Sequence, residues 1–261
     1  MLSSVKELEN CTVSATDGTI GSVQDFYFDD EGWVIRYLVI DTGTWLAHRK
    51  VLISPHSIRD AATADRLLSL SVTKQQVEHS PAIDTDKPVS RQHERSYLGY
   101  YGYPYYWGGA GLWGGGAFPG MTLGGVVYTN AQPEIDAEQQ QRGNLHLRSC
   151  NEVASYYLHA SDGEIGHVQG FLIDKKSWAI RFLIVNTSNW WMGHRVLIAP
   201  EWIRDVSWSQ SMVTTDLTRQ AVKESPVYDP GTPLHPAAEA AIYKHYGRSA
   251  YGEHPAKRKV A

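Results

Sequence analysis

The sequence predicts a mainly β protein made of two tandem copies of one small barrel-like domain. Three observations predict it. Shifted by 145 residues, the chain aligns with itself without a gap from Leu2/Leu147 to Gly102/Gly247. Within each copy, short apolar-rich runs alternate with Gly, Pro and Asp turn signals, the pattern of a small barrel or sandwich. The period is domain-sized and occurs twice, which excludes a many-unit solenoid.

The elements follow in order. "CTVSAT" reads as a strand, and Asp17-Gly18 as a tight hairpin turn, because Gly accepts positive φ. The same turn recurs at Asp162-Gly163. "GTIGSVQDFYFD" alternates apolar and polar residues with one slip near Gly21, which predicts a bulge or sharp bend. "FDDEG" gathers three carboxylates where the twin reads "IDKKS"; a solvated turn is expected. "WVIRYLVIDT" is the most apolar strand, "RKVLISP" ends at Pro55, and "LLSLSV" closes the set. The triplet "IRD" at 58–60 and 203–205 predicts a structural ion pair or a strand-end cap.

After the strands, Thr73 and Gln76 have capping-box spacing. "SPAIDTDKP" and "SPVYDPGTP" predict extended straps, followed by short helices over Ser90–Tyr97 and after Pro236, the latter stopped by Gly247. The expected organisation is a first barrel domain at 1–86, a helix and Gly/Tyr/Trp-rich linker at 87–145, a second barrel domain at 146–230, and a C-terminal helix with a basic tail at 231–261.

Composition excludes several classes. The chain is 42% hydrophobic and 20% charged with net charge −4, which argues against a nucleic-acid partner. Residues 1–86 carry 7 cations against 13 anions, so the first copy is −6. Two cysteines, Cys11 and Cys150, make neither a disulfide framework nor a metal site and are expected free and packed. Lys6, Glu7 and Glu9 break up the first apolar residues, so no signal peptide is expected and the cytoplasm is the predicted compartment. The eleven histidines, among them His48, His56, His167 and His194, show no metal-ligand spacing. No phosphate-binding loop, nucleophile elbow or dinucleotide fingerprint follows a strand. Neither a catalytic residue, a metal nor a cofactor is predicted.

The stretches "DGTIGSVQDFYFDDEGWVIRYLVIDTGTWLAHRKVLISPHSI" and "DGEIGHVQGFLIDKKSWAIRFLIVNTSNWWMGHRVLIAPEWI" resemble the PRC-barrel family in its Asp-Gly hairpin, apolar central strand and Val-x-Ile-x-Pro strand. That resemblance implies a six-stranded barrel used for protein contacts, as in the cytoplasmic part of the photosynthetic reaction-centre H subunit and in a bacterial 16S rRNA maturation factor. It brings no catalytic residues. Two such barrels are expected to pack on each other with pseudo-twofold symmetry.

Residues 97–133 contain no charged side chain, and eleven glycines lie between 99 and 125. Three readings stand: a flexible linker with aromatic stickers, a membrane-touching segment, or an ordered strand pair such as 121–129. Candidate protein-contact residues are Tyr105, Tyr106 and Trp107 here, with Trp45, Trp190 and Trp191 between the third and fourth strands. An exposed Trp anchors contacts; the alternative is a tryptophan capping the barrel core. The predicted function is that of a non-enzymatic interaction or scaffold protein with an unidentified protein partner, in which homo-oligomers are possible. The alternatives are an RNA- or ribosome-associated factor and a factor peripheral to the inner membrane.

Overall fold

The computed structural model describes residues 2–62, 65–82, 89–107, 111–121, 147–187 and 193–251. The first copy contributes β1 (Leu2–Ser4), β2 (Thr12–Ala15), β3 (Gly18–Asp29), β4 (Val34–Asp41), β5 (Lys50–Ile53), β6 (Ile58–Ala62) and β7 (Leu67–Leu70). The second contributes β8 (Leu147–Ser149), β9 (Tyr157–Ala160), β10 (Gly163–Asp174), β11 (Ile180–Asn186), β12 (Arg195–Ile198), β13 (Ile203–Ser207) and β14 (Met212–Thr215).

There are two seven-stranded sheets of one design. One runs β5-β4-β3-β2-β7-β6 and takes β8 on β3; the other runs β12-β11-β10-β9-β14-β13 and takes β1 on β10. Each copy thus builds six strands of its own sheet and lends a seventh to the other. Pairing is antiparallel except at β2·β7 and β9·β14, which are parallel.

The slip near Gly21 is a bulge: Val13 faces Gly21 but Ser14 faces Thr19, so Ile20 is the extra residue. A Cβ on Gly21 would lie 1.9 Å from the Asp41 carbonyl oxygen, and its φ is +152°. Gly166 repeats this at 2.0 Å from the Asn186 oxygen. Only glycine lets the two strands close there.

The "IRD" triplets prove to be bulges too, which corrects the expected ion pair or cap. Ile58 faces Leu70 and Asp60 faces Ser69, leaving Arg59 as the extra residue; Arg204 repeats it. The Asp of each Asp-Gly turn does more than turn the chain. Asp17 Oδ1 accepts from Lys74 N at 2.8 Å, at the first turn of α1 (Lys74–Glu78), and Asp162 does the same for Arg219 N at 2.7 Å. The predicted capping box of Thr73 and Gln76 is present.

Contacts divide the chain into two compact units, one of Met1–Leu2, Ala154–Gly170 and Arg181–Ala261, the other of Ser3–Val153 and Phe171–Ile180. The second of these therefore holds the first copy together with the tip of the β10–β11 hairpin. Within it the two hairpin tips meet reciprocally. Ile35 N donates to Trp178 O at 2.8 Å and Ile180 N to Trp33 O at 2.7 Å, around the Val34/Ala179 bridge. Each pair maps onto the other under the 145-residue shift, which is local two-fold symmetry. Trp33 and Trp178 hold φ of 54° and 59°. Phe28 stacks on Trp33 at 5.2 Å and touches Phe171 at 5.8 Å, closing a small aromatic core.

Candidate interaction surface

The strap after the first barrel is the least repeated and most aromatic part of the unit. Its helix α2 spans Arg91–Tyr101, four residues beyond the predicted end, and stops at Gly102 with φ 69°. Ser90 caps its start by accepting from His93 N at 3.3 Å.

Residues 34–40 of β4 are all buried. The strand has no solvent face because the strap covers one of its two sides. Tyr37 and Val39 form one cluster with Leu52, Tyr97, Leu98 and Tyr106. Burying such a side chain contributes about 1.5–3 kcal/mol. Tyr97 adds direction. Its hydroxyl donates to Leu52 O at 3.1 Å and accepts from Ser54 N at 3.0 Å, so the helix is bonded to the end of β5.

Beneath the strap lies a charged and aromatic network. Asp29 and Arg36 form a buried ion pair at 2.7 Å. Burial raises the Asp29 pKa, but the Arg36 guanidinium wins and holds it below the usual value. Arg36 also donates to Leu112 O at 2.6 Å and lies 3.8 Å from the centre of the Tyr106 ring. This corrects the solvated turn expected for "FDDEG": Asp29 is 3% exposed because its counter-charge sits across the hairpin. Glu94 is fully internal, accepting from Tyr106 at 2.6 Å, from Tyr37 at 3.2 Å and from Arg91 at 3.1 Å. Burial raises its pKa and these donors offset part of the rise.

Further along, His56 stacks on Tyr103 at 5.0 Å and meets Trp113 edge-on at 4.9 Å. Burial, helped by Arg36, lowers its pKa from 6.5 to about 4. Ser57 and Tyr103 share a 2.7 Å hydrogen bond, and Trp113 Nε1 donates to Ser177 O at 2.7 Å. The described strap residues are thus held by specific bonds. Tyr97, Tyr103, Tyr106 and Trp113 dock on residues of the first copy, which is the docking that the reading of a linker with aromatic stickers expects. The strand pair proposed for 121–129 lies outside the described residues beyond Met121.

The sequence-predicted contact residues separate. Tyr106 is 7% exposed and works inside the network, so it is not a surface contact. Tyr105 and Trp107 are partly buried and stack on each other at 4.8 Å. Trp45 is half-buried, with Lys74 Nζ 4.5 Å from its ring centre. Trp190 and Trp191 lie outside the described residues. Sequence reasoning missed Tyr100, Phe118 and Met121, strap residues exposed by 43%, 39% and 43%.

In the other unit, the corresponding helix Pro236–His245 presses Tyr243 onto Trp202 and Phe182. There Arg181 pairs with Glu239 and stacks on Tyr251 at 3.4 Å. These three align with Arg36, Glu94 and Tyr106 at the repeat offset of 145, a signal that would have found the network.

Both cysteines are free and buried. Among the described residues no cluster of three His, Cys, Asp or Glu side chains is placed to hold a metal ion. None of their helices is long and apolar enough to cross a membrane. No curated protein matches the chain. The family model of the PRC-barrel domain matches residues 2–68, spanning β1 to the start of β7. The strand pattern, the Asp-Gly turn and this match agree, and the chain carries a PRC-barrel domain over residues 2–68.

Proposed function

We propose that the protein is a non-enzymatic interaction module, a PRC barrel that uses its bonded strap to present apolar side chains to a protein partner. The observation that carries this reading is the contrast within the strap. Its inner rings are buried in hydrogen bonds, while Tyr100, Phe118 and Met121 stay exposed on a backbone that those bonds hold in place. A pre-ordered surface binds without the entropic cost of ordering a loop. Tyr105, Trp107 and Trp45 supply further half-buried aromatic area of the kind that anchors interfaces.

The test is a quantitative pull-down from native-source extract, soluble and membrane fractions both. The full chain is compared with the triple variant Tyr100→Ser, Phe118→Ser and Met121→Ser. These side chains lie outside the buried network, and the variant gives up only the exposed bond of the Tyr100 hydroxyl to Gln76 O and its edge contact with Tyr101, so a small fall in melting temperature is expected. A protein enriched by the wild type and lost by the variant supports the reading. Retention of every enriched protein by the variant, or enrichment of none, refutes it.

A further inference from the structure

A cleft of about 310 Å³ opens in the unit of the first barrel, walled by Pro55, Ile58, Pro119 and Trp178. Its charged lining is Arg59, Lys175 and Lys176 against the single carboxylate of Asp60. Three cations facing one anion leave an excess of two positive charges.

The lysines, rather than the bulged arginine that both copies share, say that this excess is not a by-product of folding. Arg59 is the extra residue of the β6 bulge, and a bulge re-aims the side chain it carries. The lysines are tested by an internal control. The turn that bears them has a twin at Asp29–Trp33, carrying Asp30 and Glu31 at the same positions. Both turns are built alike. Asp29 Oδ1 accepts from Glu31 N at 3.0 Å, and Asp174 Oδ1 from Lys176 N at 3.0 Å. Trp33 N donates to Asp29 O and Trp178 N to Asp174 O, each at 2.7 Å. The fold therefore accepts either charge here, and the lysines stand on the turn that faces Arg59.

We propose that this cleft is a binding site for the phosphate group of a small organic phosphate. A dianionic phosphate matches the excess charge. Arg59 supplies a planar pair of donors and the lysines supply point charges, the combination suited to phosphate oxygens. The volume lies at the lower end of small-ligand pockets, enough for a phosphate and a compact organic group. The strap helps to form the site, because Trp113 Nε1 on Ser177 O ties the segment carrying Pro119 to the lysine turn.

The experiment is isothermal titration of the full chain with glycerol 3-phosphate and with inorganic phosphate, in 20 mM and 150 mM salt. A parallel arm measures binding to phosphatidylglycerol vesicles against phosphatidylcholine vesicles. The key variant is the twin-turn swap Lys175→Asp with Lys176→Glu. The control is Lys6→Asp with Lys244→Glu, which makes the same net-charge change at exposed positions outside the cleft. Wild type and control are expected to bind alike, and the swap at least about tenfold more weakly, with affinity falling as salt screens the charges. Lysine-dependent binding of glycerol 3-phosphate names a soluble phosphate ester as the source. Lysine-dependent binding to anionic vesicles alone names a lipid headgroup as the source of the same chemistry. Binding that survives the swap, or that the control loses equally, overturns the site, as does absence of binding to every probe.

Discussion

His56 offers a sharp test of how the strap is held. Its ring lies between the barrel and the strap, stacked on Tyr103 and edge-on to Trp113, with Nδ1 3.2 Å from Ser54 Oγ. Burial, with the Arg36 charge nearby, lowers its pKa from 6.5 to about 4. The folded protein therefore resists protonating a group that the unfolded chain protonates readily. Between pH 6.5 and 4 the unfolded state binds more protons, so stability falls as pH falls. The full linkage is about 3 kcal/mol, and at pH 4.5 about 2 kcal/mol of it has been lost. The perturbation is His56→Phe, which keeps an aromatic ring against Tyr103 and Trp113 but cannot titrate. Urea unfolding at pH 7 and pH 4.5 gives the stability change on acidification for each protein. Asp25 and Glu94, whose carboxyls burial holds above their usual range, contribute with the opposite sign, but equally in both proteins. The wild type should lose about 2 kcal/mol more than the variant on acidification. Equal losses would refute the claim that the strap desolvates His56.

Other substitutions probe single joints. Gly21→Ala puts a Cβ 1.9 Å from the Asp41 oxygen at a φ of +152°, and should cost more than about 3 kcal/mol in thermal unfolding. Glu94→Ala leaves Arg91 without its buried partner and takes an acceptor from Tyr106; a loss of about 3 kcal/mol in chemical denaturation is expected, with faster proteolysis of the strap. Ser149→Ala removes the 2.5 Å hydrogen bond to Asp25 that fastens β8 to β3, and should lower stability by about 1–2 kcal/mol.

Local features of the fold were legible because local chemistry decides them. Gly21 announced its bulge through a broken alternation, Thr73 and Gln76 their capping box, and Gly247 the end of its helix, where its φ is 64°. What escaped was set by partners distant in sequence. "FDDEG" reads as a polar turn until Arg36 crosses the hairpin to neutralise Asp29. A stretch of Gly and Tyr has no period from which to infer packing, and Tyr106 becomes internal only because Arg36, Arg91 and Glu94 are brought beneath it. The exchange of β8 onto β3, with Tyr27 opposite Ser149, joins residues more than a hundred positions apart. No periodicity within either copy encodes that choice.

The duplication itself separates scaffold from specialisation. Features present in both copies are those the sheet requires: the Asp-Gly turn bonded to the following helix, the glycine against the facing strand, the bulged arginine, and the left-handed tryptophan at the hairpin tip. Features present once are free of that requirement, and three charge-bearing ones lie in the unit that also holds the strap. Asp25, which clasps Ser149, stands where the twin has Gly170. Arg91, which pairs with Glu94, stands where the twin has Pro236. Lys175 and Lys176 stand where the twin has Asp30 and Glu31. All three departures give their residue a role in the unit that also holds the strap: one fastens the lent strand, one locks the strap helix, one charges the cleft beside the strap's end. The other unit has departures of its own, such as the ion pair of Arg248 with Asp216 where the first copy has Tyr103 and Ser71. Each copy has therefore been specialised on a shared scaffold, the strap's unit by fastening the lent strand and the strap helix and by charging the cleft beside the strap's end.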